Sequence, residues 1–343
     1  MYAFFRGTRK ALRGGAALFA LLFLLSSPMA LATELKESDS GASARMLVPV
    51  GHTVGIKLFS RGVMVVKLSP GGSPAKDCGL QTGDVIVKCG SSNVNSSEQF
   101  QSLLQKNGSS AMELQIKRDG SSMTLSVEPK KNEQGIYCIG AWIRDSMAGI
   151  GTMTYYDPAT GAFGALGHGI TDVDTAQLMP FGNGSILPST VKAVKRGESG
   201  SAGELRGNFD LTAELGTLSA NADCGIFGTL RCTDYAPAQA EALPTGIPLP
   251  GAAVIRSNVE GDSVQEYDIE IMKVISHAAD GRDLVLRVKD PDLIAVTGGI
   301  VQWMSVSPII QDGKLVGAVT HVLLNDPCKG YGISIETMLN AAG

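Results

Sequence analysis

The sequence predicts a mainly β protein with two domains, and three observations support this expectation. The chain has 343 residues, which is long enough for two domains that each bury a core. It contains 42 glycines, and aromatic residues make up only 6% of it. Many short runs of valine, isoleucine and leucine are separated by glycine turns, a pattern typical of strands rather than of helical bundles.

Charge and cysteine content exclude some classes of function. With 29 basic and 33 acidic residues, the formal net charge is −4. No basic stripe is available to pair with phosphates, so nucleic acid is not an expected partner. The six cysteines are an even number, which permits disulfides in an exported chain, but they are scattered, so free thiols are favoured. None lies in a Cys-x-x-Cys pair, and neither a metal nor an organic cofactor is implied.

Residues 1–32 have the pattern of an export segment. A basic front from Arg6 to Arg13 is followed by an apolar stretch at Ala16–Leu25 and by the small-x-small site Ala30-Leu31-Ala32. The apolar stretch is short for a membrane span, so the segment is either a cleaved signal peptide or a membrane anchor. Residues 33–46 are polar and serine-rich, which predicts a flexible tether.

Residues 47–129 form a first domain with a mixed pattern. The predicted elements are, in order, a short helix capped by Ser73, a buried strand at Asp84–Val87, a helix that starts at the capping segment Asn95-Ser96-Ser97-Glu98 and ends at Asn107-Gly108, and a hairpin around Asp119-Gly120. This order, with the segment PAKDCGLQTGDVI, resembles a PDZ domain. The resemblance implies a groove in which an extended peptide joins a sheet edge. By position, its terminus-binding loop would contain Gly55, Ile56 and Leu58. The alternative is a module that only packs against its neighbour.

The segment KKNEQ at residues 130–134 predicts a domain boundary. Residues 135–343 contain about a dozen strand-like segments separated by glycine turns, and only Ile335–Ala342 has a helical pattern. An all-β domain of this size is expected to be a sandwich or a pair of barrels.

A serine between two predicted strands is the candidate nucleophile. The segment MSVSP is followed by IIQDGKLVGAVTHVLL, two β-rich runs joined by the turn Asp312-Gly313. Ser305 and Ser307 are both candidates. Ser305 is preferred because the oxyanion of a reacting carbonyl would then be held by its own N–H and that of Trp303.

Four histidines are available as a general base, and His168 in GALGHGITD is favoured because its two flanking glycines leave the ring accessible. His321 is expected in the core or beside the site, and His52 and His277 are expected to be structural. A third group must orient the imidazole. The candidates left open by spacing are Asp172, Asp210, Asp223, Asp290 and Asp292.

The PDZ-like segment, together with GALGHGITD, ADCGIFG, MSVSPI and GAVTHVLLNDP, resembles the stage IV sporulation protein B peptidase family. The resemblance covers essentially the whole chain after the export segment. It implies a trypsin-like double β-barrel after the PDZ domain, with His168 as general base, Ser305 as nucleophile and Asp290 as the third member.

The resemblance also implies a biological setting. Such a protease crosses the inner forespore membrane of a spore-forming bacterium into the space between the two membranes, where it processes itself. It then cuts a membrane-bound regulator, which releases an intramembrane metalloprotease that activates a late sigma factor. Peptide binding by the PDZ domain would control these steps.

One departure bears on activity. The family loop has glycine where this chain has Trp303 and Val306, on either side of Met304-Ser305. If the turn requires positive φ there, each bulky residue costs about 1–2 kcal/mol, and the Trp303 amide either stays in place or turns away. We therefore expect a serine endopeptidase. The alternative is a catalytically attenuated or inactive relative that acts as a PDZ peptide-binding regulatory protein.

Overall fold

The computed structural model describes residues 44–231, 235–275, 278 and 281–343, and every structural statement concerns these residues. The predicted export segment and nearly all of the tether lie outside them. No helix within the described ranges is long and apolar enough to cross a membrane.

The regular elements are numbered in chain order. The strands are β1 (Met46–Pro49), β2 (Thr53–Leu68), β3 (Val85–Cys89), β4 (Ser92–Asn93), β5 (Met112–Arg118), β6 (Ser121–Val127), β7 (Lys130–Lys131), β8 (Tyr137–Cys138), β9 (Ala141–Tyr156), β10 (Ala162–Ala165), β11 (Phe181–Lys195), β12 (Glu204–Phe209), β13 (Gly216–Ala222), β14 (Gly225–Leu230), β15 (Leu243–Pro244), β16 (Gly251–Ser257), β17 (Gln265–Val274), β18 (Leu284–Val288), β19 (Pro308–Gln311), β20 (Lys314–Leu323) and β21 (Asp326–Ser334). The helices are α1 (Pro74–Asp77), α2 (Ser97–Asn107), α3 (Pro291–Thr297), α4 (Ile335–Ala342) and a 3₁₀ turn at Ala236–Gln239.

The predicted all-β region, together with β2, forms two barrels. In the first, β2 pairs with β9, and the path continues through β10, β14, β13 and β11 back to β2. The second is a closed barrel in the order β16, β17, β18, β21, β20 and β19. Closure leaves no open sheet edge, and each barrel encloses its own apolar core. The sequence therefore folds as a pair of barrels and not as a sandwich.

The PDZ sheet continues from β2 into β3, β5 and β6. The predicted caps are present: the Ser73 and Ser96 hydroxyls accept hydrogen bonds from the Lys76 and Gln99 N–H groups at the starts of α1 and α2. Helix α2 buries Phe100 and Leu104 against this sheet. These residues build a third core, separate from the two barrel cores.

Two long strands belong to both the PDZ sheet and the first barrel. Strands β2 and β9 each have 16 residues and pair from Thr53 opposite Thr152 to Leu68 opposite Ala141. Upstream of residue 130, Leu47, Val54 and Ile56 are at most 3% exposed, and they lie in the core of the first barrel. The domain boundary at residues 130–134 stays a prediction. The core of the first barrel contains residues from both sides of it.

This sharing predicts opposite outcomes for two deletions. Removing residues 47–129 should prevent folding, because burial of Leu47, Val54 and Ile56 alone contributes about 5–9 kcal/mol, comparable with the whole stability of a domain, about 5–15 kcal/mol. Replacing residues 69–140 by Asn-Gly should leave a folded double barrel, because Leu68 and Ala141 are directly opposite and a two-residue turn can join them. Circular dichroism melting of both purified variants checks this. A cooperative transition in the first variant would contradict it.

Candidate active site

The loop that carries Ser305 lies between the two barrel cores. It connects α3 to β19, and the residues on either side of Ser305 are buried in different cores. Met304 is 1% exposed and packs in the second barrel, whereas Val306 is 0% exposed and packs in the first. The serine between them is only half-buried. Burial of its two neighbours in opposite directions therefore fixes the position of Ser305.

Both residues that replace the family's glycines have positive φ. The φ angle is 74° at Trp303 and 87° at Val306. A β-branched residue in this region is a genuine outlier, because its Cβ crowds the backbone. The loop is held there by hydrogen bonds from the Thr152 hydroxyl to the Trp303 carbonyl (2.6 Å) and from the Val306 N–H to the Val319 carbonyl. The chain thus keeps a glycine-type turn with bulky residues.

The backbone N–H groups of the loop divide into two sets. Those of Met304, Val306 and Ser307 donate to backbone carbonyls. Those of Trp303 and Ser305 have no acceptor among the described residues. Two unpaired N–H groups beside a serine hydroxyl are the arrangement that an oxyanion hole requires.

His168 follows β10 at the junction of the barrels, and its flanking glycines are there for space. Neither Gly167 nor Gly169 has positive φ, so the backbone conformation at these positions does not require glycine. A Cβ on Gly167 would lie 2.6 Å from Thr320 Cγ2, and one on Gly169 would lie 2.2 Å from Leu178 Cδ1. The missing side chains let Thr320 of the second barrel and Leu178, in the loop between β10 and β11, approach the backbone beside His168.

One cavity of about 570 Å³ brings the predicted base and nucleophile together. His168, Ser305, Trp303 and His321 all line it. The His168 and His321 ring centroids are 6.0 Å apart, which agrees with the expectation that His321 neighbours the site. His168 Nδ1 lies 3.0 Å from the Gly169 carbonyl oxygen. A proton on Nδ1 would satisfy this carbonyl and leave the lone pair of Nε2 available as a base.

The structure gives Asp290 a different role from the one predicted. Its carboxylate caps α3 by accepting a 2.8 Å hydrogen bond from the Leu293 N–H, and its second oxygen lies 3.4 Å from the Asp268 nitrogen. Asp290 is absent from the described lining of the cavity, so it is not brought to His168. An Asp followed by a Pro is a strong signal for the start of a helix. This signal indicates a capping role for Asp290 rather than a catalytic one.

Of the other acidic candidates, only Asp223 is among the described residues that line the cavity. It lies in the turn between β13 and β14, and its carbonyl accepts a hydrogen bond from the Gly169 N–H (3.1 Å). Asp172 is fully buried and pairs with Arg144. Burial opposes its ionisation, but hydrogen bonds from the Thr175 N–H and Arg144 outweigh this effect and hold its pKa below the ordinary value.

Asp210 and Asp292 have ordinary local roles. Asp210 accepts hydrogen bonds from the Thr212 N–H and hydroxyl in an exposed turn. Asp292 is an exposed residue in the first turn of α3, where a negative charge is favourable. Among the remaining histidines, His52 is buried, with Nδ1 2.7 Å from the Thr53 carbonyl oxygen and 3.0 Å from the Tyr235 hydroxyl. His277 lies outside the described residues.

The peptide-binding positions predicted in the PDZ segment are not at a free edge. Gly55, Ile56 and Leu58 lie within β2, where β9 pairs on one side and β11 on the other. The prediction was wrong because β2 continues unbroken into the first barrel, so its backbone groups are already used. Beside α2 the adjacent strand is instead the start of β9, where the Ser97 N–H donates to the Asp145 carboxylate (2.7 Å).

Sequence reasoning missed the residues that position the loop. Thr152 lies in the middle of β9 and gave no signal beyond strand propensity, yet its hydroxyl holds the Trp303 carbonyl. Gln302 exchanges backbone hydrogen bonds with Gly203 and Leu205 at the start of β12. Both contacts join segments that are distant in sequence, so no local pattern could have found them.

Two closed barrels with a serine loop between them and a histidine on the facing barrel are the arrangement of trypsin-like serine peptidases. The sequence model of the SpoIVB peptidase S55 family matches residues 135–339, and that of a PDZ domain matches residues 36–128. The chain therefore belongs to the SpoIVB peptidase S55 family and carries a PDZ domain, which confirms the resemblance noted in its motifs.

Individual relatives are more distant. The chain is 32% identical over 68 residues to a putative zinc metalloprotease, CPE1693, of Clostridium perfringens, and this match spans 20% of each chain. A PDZ domain of the SdrC-like protein Lmo2051 from Listeria monocytogenes is 20% identical, covering 24% of this chain and 87% of that one (TM-score 0.23). The active form of the Rv3671c protease from M. tuberculosis is 11% identical, covering 57% and 75% (TM-score 0.31).

Backbone strain at Val306 predicts an inverted order of stability for two substitutions. Both Val306→Ala and Val306→Gly empty the same buried space. At an ordinary buried site glycine is the less stable by roughly 0.5–1 kcal/mol. At a φ of 87°, Val306→Gly should instead unfold at higher urea than Val306→Ala, by about 1–2 kcal/mol in the free energy of unfolding. Equal stabilities, or the ordinary order, would show that the residue is not held at positive φ.

Proposed function

We propose that the chain is a serine endopeptidase in which Ser305 is the nucleophile and His168 the general base. The observation that carries the proposal is their position on the walls of one cavity, beside the two unpaired N–H groups of Trp303 and Ser305. A half-buried serine that shares a cavity with an imidazole and a pair of unused amides has the parts that acyl transfer needs.

In the proposed reaction, Nε2 of His168 takes the hydroxyl proton as Ser305 Oγ attacks the carbonyl carbon of the peptide bond. The carbonyl oxygen becomes an oxyanion, which the Trp303 and Ser305 N–H groups stabilise. The proton then passes to the leaving amine, the C–N bond breaks, and an acyl ester on Ser305 remains. Water hydrolyses this ester through the same base, which returns Ser305 to its hydroxyl form.

The third member of the site is proposed to be the Gly169 carbonyl and not Asp290. A hydrogen bond from His168 Nδ1 to this carbonyl would hold the ring in the tautomer that leaves Nε2 as the base. Asp290 is used at the α3 N-terminus, where Asn would cap equally well.

The family resemblance supports a biological role for this activity. We propose that the substrates are the chain itself and a membrane-bound regulator of an intramembrane protease, which would lead to activation of a late sigma factor during sporulation. The basic and apolar residues 1–32 support export, with the space between the forespore membranes as the proposed location and the inner forespore membrane as a tether. Peptide recognition by the PDZ domain is part of the same proposal.

Covalent labelling of the purified protein by a fluorophosphonate tests the catalytic assignment. The serine oxygen should bond to phosphorus and fluoride should leave, with the hydroxyl proton passing to His168. Ser305→Ala should abolish labelling. Ser307→Ala is the matched control: its hydroxyl is fully buried and donates to the Met304 carbonyl (2.9 Å), so labelling should persist with a loss of about 1 kcal/mol in stability.

The variant Asp290→Asn tests whether Asp290 is the group that orients His168. If Asp290 only caps α3, the rate of labelling should stay within a few-fold of that of the unchanged protein. The free energy of unfolding should also be nearly unchanged, because Asn caps a helix as well as Asp does. A triad carboxylate replaced by its amide would instead cost about ten-thousand-fold in rate. No labelling of the unchanged protein would favour the catalytically silent PDZ-containing relative.

A further inference from the structure

A second cavity lies beside the proposed base, on the side of the first barrel. It has a volume of about 230 Å³ and shares His168 and Trp303 with the larger cavity that contains Ser305. Ser305 itself is not among its described lining residues. The other walls come from β9, from the loop after β10 and from Ile56 of β2, all in the first barrel. The second cavity therefore adjoins the base and is separate from the nucleophile.

The lining of this second cavity is apolar. Its described side chains are mostly aliphatic, and none of them carries a carboxylate, an ammonium or a guanidinium group. Val173 at its edge is 81% exposed. The carboxylates on either side of Val173, those of Asp172 and Asp174, pair with Arg144 and are absent from the described lining. An apolar cavity of about 150 Å³ can hold a group as large as benzene, so this space admits an apolar side chain and disfavours a charged one.

The indole of Trp303 closes the second cavity on the side of the nucleophile loop. It packs against the core of the second barrel, and a Cβ on Gly149 of β9 would lie 4.0 Å from its Cη2 atom. That distance is an ordinary van der Waals contact, so the indole reaches the first barrel at a position where β9 has no side chain. Glycine in place of Trp303 would leave this side of the cavity open. The side chain of Trp303 therefore forms a wall that its backbone role does not require.

The chemistry of the proposed reaction assigns the two cavities to different halves of a substrate. The half that becomes an ester stays bonded to Ser305 Oγ, so it occupies the larger cavity, which Ser305 lines. The leaving amine takes its proton from His168 Nε2, so the chain attached to that amine lies beside the imidazole. The second cavity is the apolar space next to His168 and apart from Ser305.

We propose that the second cavity binds a large apolar side chain, such as that of leucine, of the substrate residue that follows the cleaved bond. This inference rests on the proposed peptidase function and adds a class of substrate residue to it. Burial of the side chain between the Trp303 indole and β9 supplies the affinity, which a small or a charged residue would lose. Trp303 then determines specificity through its indole, in addition to the oxyanion contact made by its N–H.

Acyl transfer to free amines tests the leaving-group side alone. p-Nitrophenyl acetate acetylates Ser305, and leucinamide or alaninamide then competes with water for the acetyl group. The amine nitrogen attacks the carbonyl carbon, its proton passes to His168 Nε2 and then to Ser305 Oγ, and the C–O bond breaks. Because this step is the reverse of amide cleavage, the amine binds where the leaving residue departs. At equal amine concentrations, the ratio of N-acetyl amide to acetate should be about five- to fifty-fold higher for leucinamide.

Two variants change the second cavity from opposite sides. Gly149→Val adds a side chain where φ is not positive and only the indole is near, so it should fill the cavity and bring the leucinamide preference close to one. Trp303→Gly removes a wall and should lower the preference by about three- to ten-fold. Both amines react with the same acetyl-enzyme, so any change in oxyanion stabilisation cancels in the comparison. Ser146→Val, at an exposed position of β9 outside the described lining, is the matched control and should keep the preference.

The outcomes separate the two proposals, with fluorophosphonate labelling of every protein as the measure of an active serine. Labelling with equal transfer to leucinamide and alaninamide, or with a preference for lysinamide, overturns the apolar specificity alone. A protein that does not label overturns the peptidase function and the specificity with it. If Gly149→Val does not fold, Trp303→Gly decides, because glycine adopts the positive φ of this position freely. An unchanged leucinamide preference in that variant would contradict the proposal.

Discussion

The position of the nucleophile loop depends on the burial of Met304 in the second barrel and of Val306 in the first. Each side chain is almost fully buried, so the loop between them cannot move without emptying space in one core or the other. This packing holds Val306 at a φ of 87°, where a β-branched residue would not otherwise remain. Burial of a valine contributes about 1.5–3 kcal/mol, which is enough to offset a strain of about 1–2 kcal/mol. The half-buried Ser305 is placed by its neighbours.

A second constraint is the long pairing of β2 with β9. The same two strands supply the PDZ sheet at one end and the first barrel at the other, so removal of residues 47–129 removes a barrel strand, whereas removal of residues 69–140 keeps both strands. Strand β9 also carries Thr152, whose hydroxyl binds the Trp303 carbonyl. One continuous strand therefore leads from the edge beside α2, through the barrel, to the nucleophile loop.

Local signals predicted much of this molecule. The Ser73 and Ser96 caps, helix α4, and the Asp119-Gly120 and Asp312-Gly313 turns follow from residue types within a few positions, and these turn residues have the expected positive φ. Ser305 and His168 were also predicted, and the structure places both on one cavity.

What the sequence could not predict depends on distant pairing. The pairing of β2 with β9 joins segments separated by most of the PDZ domain. Together with the pairing of β2 with β11, it leaves Gly55, Ile56 and Leu58 without a free edge. Asp290 was predicted at His168 on family order alone, although Asp-Pro is a sufficient reason for a helix cap. The distance between two barrels cannot be read from a local pattern.

The central claim is that Trp303, despite its bulk, keeps its N–H in the oxyanion hole. A crystal structure of the covalent phosphonate adduct on Ser305 tests this claim most directly. The account predicts a phosphonyl oxygen about 2.7–3.1 Å from both the Trp303 and Ser305 nitrogens, with φ of Trp303 still positive. An adduct in which the Trp303 N–H points away, with the phosphonyl oxygen held by Ser305 alone or by solvent, would contradict it.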